Sequence, residues 1–261
     1  MTPTAVDEAA ALLWSHWTAG TRLPALPAGC RPADRAEGYA VQAALARASG
    51  QPVVGWKIAA TSAAGQAHIG VDGPLAGRML RDRVLGPGAR VPLAGSTMRV
   101  AEVEFAFRMA RALPPREAPY SLAETLAAVG SLHPSVEVPD SRYEDFVRVG
   151  APQLIADDAC ACWLVVGEAC PTDWRTLDLA AHRVAATIGG RVVAEGSGAA
   201  ALGDPRAALV WIANELRVHG PGLAAGDLVT TGTCVVPVPV APGDAFEARY
   251  GPIGTLAVSF A

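Results

Sequence analysis

Residues 99–111 read RVAEVEFAFRMAR, and the side chains of this stretch alternate in type along the chain. Phe105 and Phe107 fall on one face of an extended chain, whereas Glu102 and Glu104 fall on the other. A repeat of two residues is the period of a β-strand, because successive side chains point to opposite faces. The stretch therefore predicts a strand with one apolar face and one acidic face.

The acidic face of this strand has two interpretations. Glu102 and Glu104 would leave the backbone about 6.5–7 Å apart, close enough for both carboxylates to bind one cation. Carboxylate oxygens are hard ligands that suit Mg²⁺, Mn²⁺ or Ca²⁺. In the simpler interpretation, the two glutamates are solvated side chains on an exposed strand face.

The order of the elements around this strand indicates the fold class. Apolar residues recur at helical spacing between Ala9 and Trp17, and a second helix is predicted at Ala33–Ala48. We expect residues 1–52 to form an N-terminal helical region and residues 53–261 to form the rest of one compact unit. Later predicted elements are the helices Thr61–His68, Ser121–Val129, Trp174–Ile188 and Asp204–His219, and the strands Val53–Ile58, Val136–Val138, Trp163–Val166, Leu228–Thr231, Val235–Val240, Phe246–Arg249 and Thr255–Phe260. Helices first and short strands last, without regular β-α-β alternation, predict an α+β fold.

Composition excludes several classes of protein. Hydrophobic residues make up 51% of the 261 residues and charged residues 18%, which provides a large core and excludes intrinsic disorder. A net charge of −4 without a basic stripe argues against nucleic acid as a partner. The apolar run Ala159–Gly167 is far shorter than the ~20 residues that cross a membrane. The five cysteines lack zinc-site spacing, and we interpret them as reduced thiols of a cytoplasmic protein.

Other titratable residues fall in predicted strands or turns. Glu137 lies between Val136 and Val138, so it would project from the opposite face to those two apolar side chains. Lys57 lies in an otherwise apolar strand, where it either faces solvent on a sheet edge or points into a site. His68 and His133 are interpreted as surface or core histidines and not as metal ligands.

Several distinctive stretches contain these candidates. They are GWKI at 55–58, EVE at 102–104, SVEVPDSR at 135–142, GSGAAALGDP at 196–205, TGT at 231–233, PVPV at 237–240 and PGD at 242–244. In this order, and over most of the chain, they resemble the 2-keto-4-pentenoate hydratase family. That family belongs to the fumarylacetoacetate hydrolase superfamily, and it also includes 4-oxalocrotonate decarboxylases.

The resemblance implies a site and a fold. It implies one divalent cation, Mg²⁺ or Mn²⁺, held by Glu102, Glu104 and Glu137. It also implies that Lys57 is catalytic and that Thr233 lies near the carboxylate of the substrate. The implied fold is an α+β, mixed β-roll over residues 53–261 with the N-terminal helices packed outside, assembled as a homo-oligomer.

The chain departs from the family pattern at two positions. Members often carry Asp in a Pro-Asp-x-Gly stretch, where this chain has Leu75, and Asn in Ala-Asp-Asn-Ala, where this chain has Asp158. Leu75 removes a candidate proton carrier. If Leu75 binds the distal end of the substrate, as the resemblance suggests, the pocket is apolar there. A distal carboxylate would then need a cation such as Arg78 or Arg81.

These residues predict a metal-dependent hydratase of aromatic-compound catabolism. It would add water at C4 of a small 2-hydroxy-2,4-dienoate and give a 4-hydroxy-2-oxo acid, with Lys57 adding positive charge or relaying a proton. The alternative is a 4-oxalocrotonate-type decarboxylase, because loss of CO₂ passes through a similar dienolate and needs no added water. A third interpretation is a catalytically silent scaffolding homologue. Three clustered carboxylates argue against it, since they would repel each other without a cation.

Overall fold

The computed structural model describes residues 1–261, which form six α-helices and thirteen β-strands. The helices are α1 (Pro3–Ala19), α2 (Arg35–Ser49), α3 (Ala63–Ile69), α4 (Leu122–Ala127), α5 (Ala151–Ala156) and α6 (Pro205–His219). The strands are β1 (Val53–Ala59), β2 (Leu75–Leu80), β3 (Val84–Leu85), β4 (Arg90–Val91), β5 (Val100–Met109), β6 (Val129–Val138), β7 (Trp163–Val166), β8 (Arg183–Ile188), β9 (Arg191–Ser197), β10 (Leu228–Thr230), β11 (Val238–Pro239), β12 (Ala245–Arg249) and β13 (Thr255–Phe260).

The strands form two sheets that share one core. The larger sheet has the order β2-β1-β10-β5-β6-β7-β3, and β11 pairs with the start of β5. The smaller sheet has the order β4-β13-β12-β8-β9. Tyr250 links them: its ring lies 5.5 Å from the ring of Phe105, and its hydroxyl lies 2.7 Å from the carbonyl oxygens of Glu104 and Ser135. This contact fixes the centre of β5 and β6 against the smaller sheet.

The N-terminal helices α1 and α2 pack outside the sheets around their own apolar cluster, which includes Leu13 and Leu45. Both helices begin at a polar cap, Thr2 for α1 and Asp34 for α2, whose side chain accepts a hydrogen bond from the first turn. Neither helix, nor any other in the chain, combines the length and apolar character that a membrane span requires.

The predicted α+β roll with outer helices is confirmed, but one predicted element is wrong. The helix expected at Trp174–Ile188 is a single 3-10 turn at Trp174–Thr176, followed by strand β8. The alanines of this stretch favour a helix in isolation. In the structure β8 pairs with β12 on one side and β9 on the other, and this tertiary pairing overrides local propensity.

Candidate metal and substrate site

Three glutamates meet because β5 and β6 are antiparallel neighbours in register. Glu102 on β5 lies directly opposite Glu137 on β6. Glu104 follows two residues later on β5 and therefore shares the face of Glu102. One carboxylate oxygen from each of the three lies within 4.8 Å of the others. The pleat and the register thus bring together three carboxylates, although Glu102 and Glu137 are 35 residues apart in the sequence.

The donor set fits a hard divalent cation. Glu104 and Glu137 are fully buried, and Glu102 is partly exposed to a cavity. Glu104 Oε2 accepts a hydrogen bond of 2.9 Å from the backbone N–H of Gly232, but Glu104 Oε1 and Glu137 Oε2 are buried with no hydrogen-bond partner. Buried carboxylate oxygens without partners are costly. A cation such as Mg²⁺ or Mn²⁺ would satisfy them, since oxygen ligands are what these ions prefer.

Burial raises the pKa of all three carboxyls. The pKa of Glu102 rises to about 7, chiefly because burial disfavours its charged form and also because Glu137 repels it. Burial likewise raises the pKa of Glu104 and of Glu137, and in Glu137 the nearby Lys57 ammonium opposes the shift. Without a cation, burial therefore disfavours three negative charges at these positions at once.

We expect the chelated protein to lose thermal stability as the pH rises from 6 to 8. These carboxyls have folded-state pKa values above the unfolded value of about 4.3, so the folded state binds more protons and stability falls as the pH rises toward about 7. Mg²⁺ should reverse the trend, because the cation competes with protons and gains affinity at higher pH. Thermal unfolding with EDTA and with Mg²⁺ at each pH measures both slopes.

The control for this pH experiment is Glu102→Gln, which removes the carboxyl whose pKa is about 7. In EDTA, the melting temperature of this variant should change less with pH than that of the wild type. Equal melting temperatures for the chelated wild-type protein at pH 6 and pH 8 would contradict the interpretation.

Lys57 lies beside the carboxylate cluster and is almost fully buried. Its Nζ donates a hydrogen bond of 2.9 Å to the carbonyl of Ala159 and lies 3.1 Å from Glu137 Oε1. Burial alone would lower the pKa of Lys57, but the charges of Glu137 and Glu102 outweigh it and hold the pKa above its ordinary value. Lys57 is therefore an ammonium group with two fixed contacts and one donor free.

The cluster opens into a cavity of about 710 Å³, of a size typical of sites for small molecules. Its lining includes four of the predicted site residues, Lys57, Leu75, Glu102 and Thr233. Most of the remaining wall is apolar: Ile69, Met98, Val100, Phe146, Leu154 and Val235. The other ionisable side chains on the wall are His68, Glu195 and the thiols of Cys160 and Cys234.

The structure brings all six predicted site residues to this one region: Lys57, Glu102, Glu104, Glu137, Thr233 and Leu75. Leu75 is fully buried at the start of β2, opposite Ala59, and Gly77 two residues later lies opposite Lys57. The cations considered for a distal carboxylate lie elsewhere. Arg78 donates to Gln42 and stacks on Trp56, and neither it nor Arg81 lines the cavity.

Two contacts at the site were not predicted from the sequence. One is the backbone N–H of Gly232, which binds Glu104, and the other is the carbonyl of Ala159, which binds Lys57. Backbone groups carry no residue-type signal. The only indication available was that Gly232 and Ala159 fall in stretches that depart from regular helix or strand patterns.

Comparison with known proteins identifies relatives along the whole chain. The model of the fumarylacetoacetate (FAA) hydrolase C-terminal family matches residues 73–261. A 2-keto-4-pentenoate hydratase 1 from Dechloromonas aromatica is 33% identical over 258 residues, with 98% of this chain and 97% of the relative covered. A 4-oxalocrotonate decarboxylase from Pseudomonas sp. strain CF600 is 33% identical over 86% of this chain and 85% of its own.

Solved structures also include relatives that match this chain along its whole length. The 4-oxalocrotonate decarboxylase from Pseudomonas putida G7, complexed with magnesium and adipate, has a TM-score of 0.90. It is 28% identical, and the match covers 100% of this chain and 99% of that chain. A second structure of that enzyme holds calcium and acetate and has a TM-score of 0.86. Relatives named for two different reactions are thus similar to this chain over nearly its full length.

Proposed function

This chain belongs to the fumarylacetoacetate hydrolase family, and from that membership we propose that it is a metal-dependent hydratase of aromatic-compound catabolism. Its substrate would be a small 2-hydroxy-2,4-dienoate of the 2-keto-4-pentenoate type, and its product a 4-hydroxy-2-oxo acid. The observation that carries the proposal is the cluster of Glu102, Glu104 and Glu137 beside Lys57, at the wall of a mostly apolar cavity.

Glu102, Glu104 and Glu137 would hold the cation, Mg²⁺ or Mn²⁺. When bound, it would stabilise negative charge on the oxygens of a 2-oxo acid as an enolate forms. The orphaned oxygens of Glu104 and Glu137 support this assignment, since no group of the protein satisfies them. Relatives of the same fold with bound magnesium or calcium also support it.

Lys57 would act on the C2 oxygen of the substrate. Two of the three N–H donors of its ammonium group are used by the Ala159 carbonyl and Glu137, so the third is free to donate toward the cavity. A fixed ammonium group stabilises charge as it develops, and it can supply a proton when the enol becomes a ketone. The apolar wall would exclude bulk water from the tail of the dienoate, which strengthens these interactions.

Thr233 would bind the carboxylate of the substrate. It lies in the loop that also supplies the N–H of Gly232 to Glu104, so this loop touches both the carboxylate cluster and the cavity. In the absence of substrate the Thr233 hydroxyl donates to the carbonyl of Val235 at 2.8 Å. Rotation of the hydroxyl would release it toward an incoming carboxylate.

A decarboxylase is the second candidate, and two observations favour it. Leu75 places no acid on the wall to assist addition of water, and the structural match to a 4-oxalocrotonate decarboxylase is close. The cavity wall argues the other way, because no arginine reaches it to bind a distal carboxylate. We therefore place the hydratase first.

One assay separates the candidates. Purified protein with Mg²⁺ is offered 2-hydroxypentadienoate and 2-oxo-hexenedioate in parallel, and the hydrated product and CO₂ are both followed. We expect hydration of the first substrate, loss of turnover with EDTA, and recovery with Mg²⁺ or Mn²⁺. Full activity of the metal-free protein would rule out the proposal, and CO₂ from the dicarboxylate alone would promote the decarboxylase.

The proposal includes a homo-oligomer, which the family resemblance implies, and a cytoplasmic setting, for which the five free cysteines are the argument. Light scattering on the purified protein measures the assembly directly.

A further inference from the structure

The turn Asp158–Cys160 has an unusual backbone. Its three residues, Asp158, Ala159 and Cys160, have φ values of 50°, 49° and 64°, and none of them is glycine. Residues other than glycine seldom adopt this left-handed region, and three in succession persist only where surrounding contacts hold them. The turn is completely buried, so those contacts come from the protein interior.

The side chain of Arg142 spans this turn from end to end. On the near side it donates through Nε to Asp157 Oδ1 and through Nη2 to the Asp157 carbonyl. On the far side Nη1 donates to the carbonyl of Ala161 at 2.9 Å, and it also reaches the carbonyl of Asp140 at 2.7 Å. Ser141 adds a hydrogen bond of 2.8 Å from its hydroxyl to Asp157 Oδ2. The planar guanidinium thus fixes the residues before and after the turn.

The turn, once held, fixes the position of the Lys57 ammonium group. The carbonyl of Ala159, the central residue, accepts the hydrogen bond from Lys57 Nζ. Gly77 lets the turn approach: a Cβ at this position would lie 1.9 Å from the carbonyl oxygen of Asp158, and Gly77 is the partner of Lys57 in the β1–β2 pair. The left-handed turn therefore lies directly against the strand pair that carries Lys57.

We propose that Arg142 is a positioning residue, which holds the left-handed turn so that the Ala159 carbonyl sets the place of the Lys57 ammonium group. The effect on turnover rests on the proposed function, whereas the effect on the position of Lys57 does not. A displacement of about 1 Å in a catalytic group can reduce the rate about 10²-fold. Loss of the Arg142 contacts should therefore reduce kcat by that order and leave KM nearly unchanged.

The chain offers a direct probe, because Lys57 is its only lysine. Protein labelled with [ε-¹³C]lysine should give one Cε resonance, set by the buried contacts of Lys57. In Arg142→Gln we expect this resonance to move toward that of a free lysine or to broaden, with kcat reduced about 10²-fold. Binding of Mn²⁺, measured by electron paramagnetic resonance without substrate, should persist.

Two further variants complete the test. Arg22→Gln is the matched control, because Arg22 pairs with Asp140 but makes no hydrogen bond or ion pair with residues 157–161. Its lysine resonance and kcat should match those of the wild type. Ser141→Ala removes one hydrogen bond to Asp157 and keeps the Arg142 ion pair, so we expect a smaller shift and a loss of about fivefold in kcat.

The outcomes separate the two proposals. A wild-type lysine resonance in Arg142→Gln, or an equal change in Arg22→Gln, overturns the positioning role. If Arg142→Gln does not fold, an unchanged resonance in Ser141→Ala overturns it instead. If the wild-type protein turns over neither substrate, the proposed function fails, while the lysine resonance still tests the positioning of Lys57.

Discussion

Lys57→Met is expected to reduce turnover by a factor of about 10²–10⁴, the usual scale for one positioned acid–base or electrostatic group. Methionine keeps the apolar stem of the side chain, so the packing of β1 should survive. The variant removes the one cation within contact distance of Glu137. Affinity for Mn²⁺ should therefore stay equal or rise, because a positive charge no longer competes with the metal for the three carboxylates.

The measurements for this prediction are kcat on the dienoate substrate and Mn²⁺ affinity on the same preparation. Arg116→Met is the control, since it breaks an ion pair with Glu124 of α4, and neither residue lines the cavity. It should lower the melting temperature and leave kcat unchanged. Unchanged kinetics in Lys57→Met would mean that Lys57 only balances the charge of the glutamates.

The main elements of the site could be predicted because their signals are local. The alternation of residues 99–111 predicts a strand, and a strand places Glu102 and Glu104 on one face. Glu137, flanked by two valines, is predicted to project from its own strand in the same way. The register that sets Glu102 on β5 opposite Glu137 on β6 is a tertiary fact that periodicity could not predict. The family resemblance implied only that the three glutamates hold one cation.

The parts that were missed depend on contacts between distant segments. The wrong helix at Trp174–Ile188 arose because an alanine-rich stretch favours a helix until partner strands are available on both sides. The turn Asp158–Cys160 adopts a conformation that its residues disfavour, so no local rule could predict it.

One compositional signal for the site was available in the sequence. Lys57 is the only lysine among the 21 Lys and Arg residues of the chain, so it stands out in an otherwise apolar strand. In the structure, Nζ of Lys57 lies 2.9 Å from the Ala159 carbonyl and 3.1 Å from Glu137 Oε1 with almost no exposure, contacts that suit a compact ammonium group.

A preference for monocarboxylate over dicarboxylate substrates is the second large effect that we expect. No arginine lines the cavity, and its one lysine, Lys57, is paired with Glu137, so neither is available to a distal carboxylate near Leu75. Leaving a charged group buried without a partner costs about 3 kcal/mol or more, which is about 10²-fold in kcat/KM. Competition between 2-hydroxypentadienoate and 2-oxo-hexenedioate under identical Mg²⁺ measures the ratio.

The exposed His68 is the one side chain on the wall, apart from Lys57, that can carry positive charge, and it provides the variant that tests this reasoning. If His68 binds a distal carboxylate, His68→Gln should lower kcat/KM for the dicarboxylate alone. We expect instead that His68→Gln leaves the ratio unchanged. A clear preference of the wild type for the dicarboxylate, with release of CO₂, would overturn the hydratase assignment.

Leu75→Asp should raise the rate of hydration, because it places an acid on β2, where the cavity wall has none. On β2, residue 75 lies opposite Ala59, one strand repeat of about 7 Å from the Gly77–Lys57 pair, so the new carboxyl would face the substrate beyond its C2 oxygen. Burial would raise the pKa of this carboxyl and keep part of it protonated near neutral pH, as a proton carrier requires. We expect a gain of about tenfold, below the 10²–10⁴ of an evolved general acid, since the surrounding wall is not built to orient it. Leu75→Asn is the matched control, polar and of similar size but unable to carry the proton, and an equal gain in both variants would mean that wall polarity, and not acid catalysis, limits the reaction.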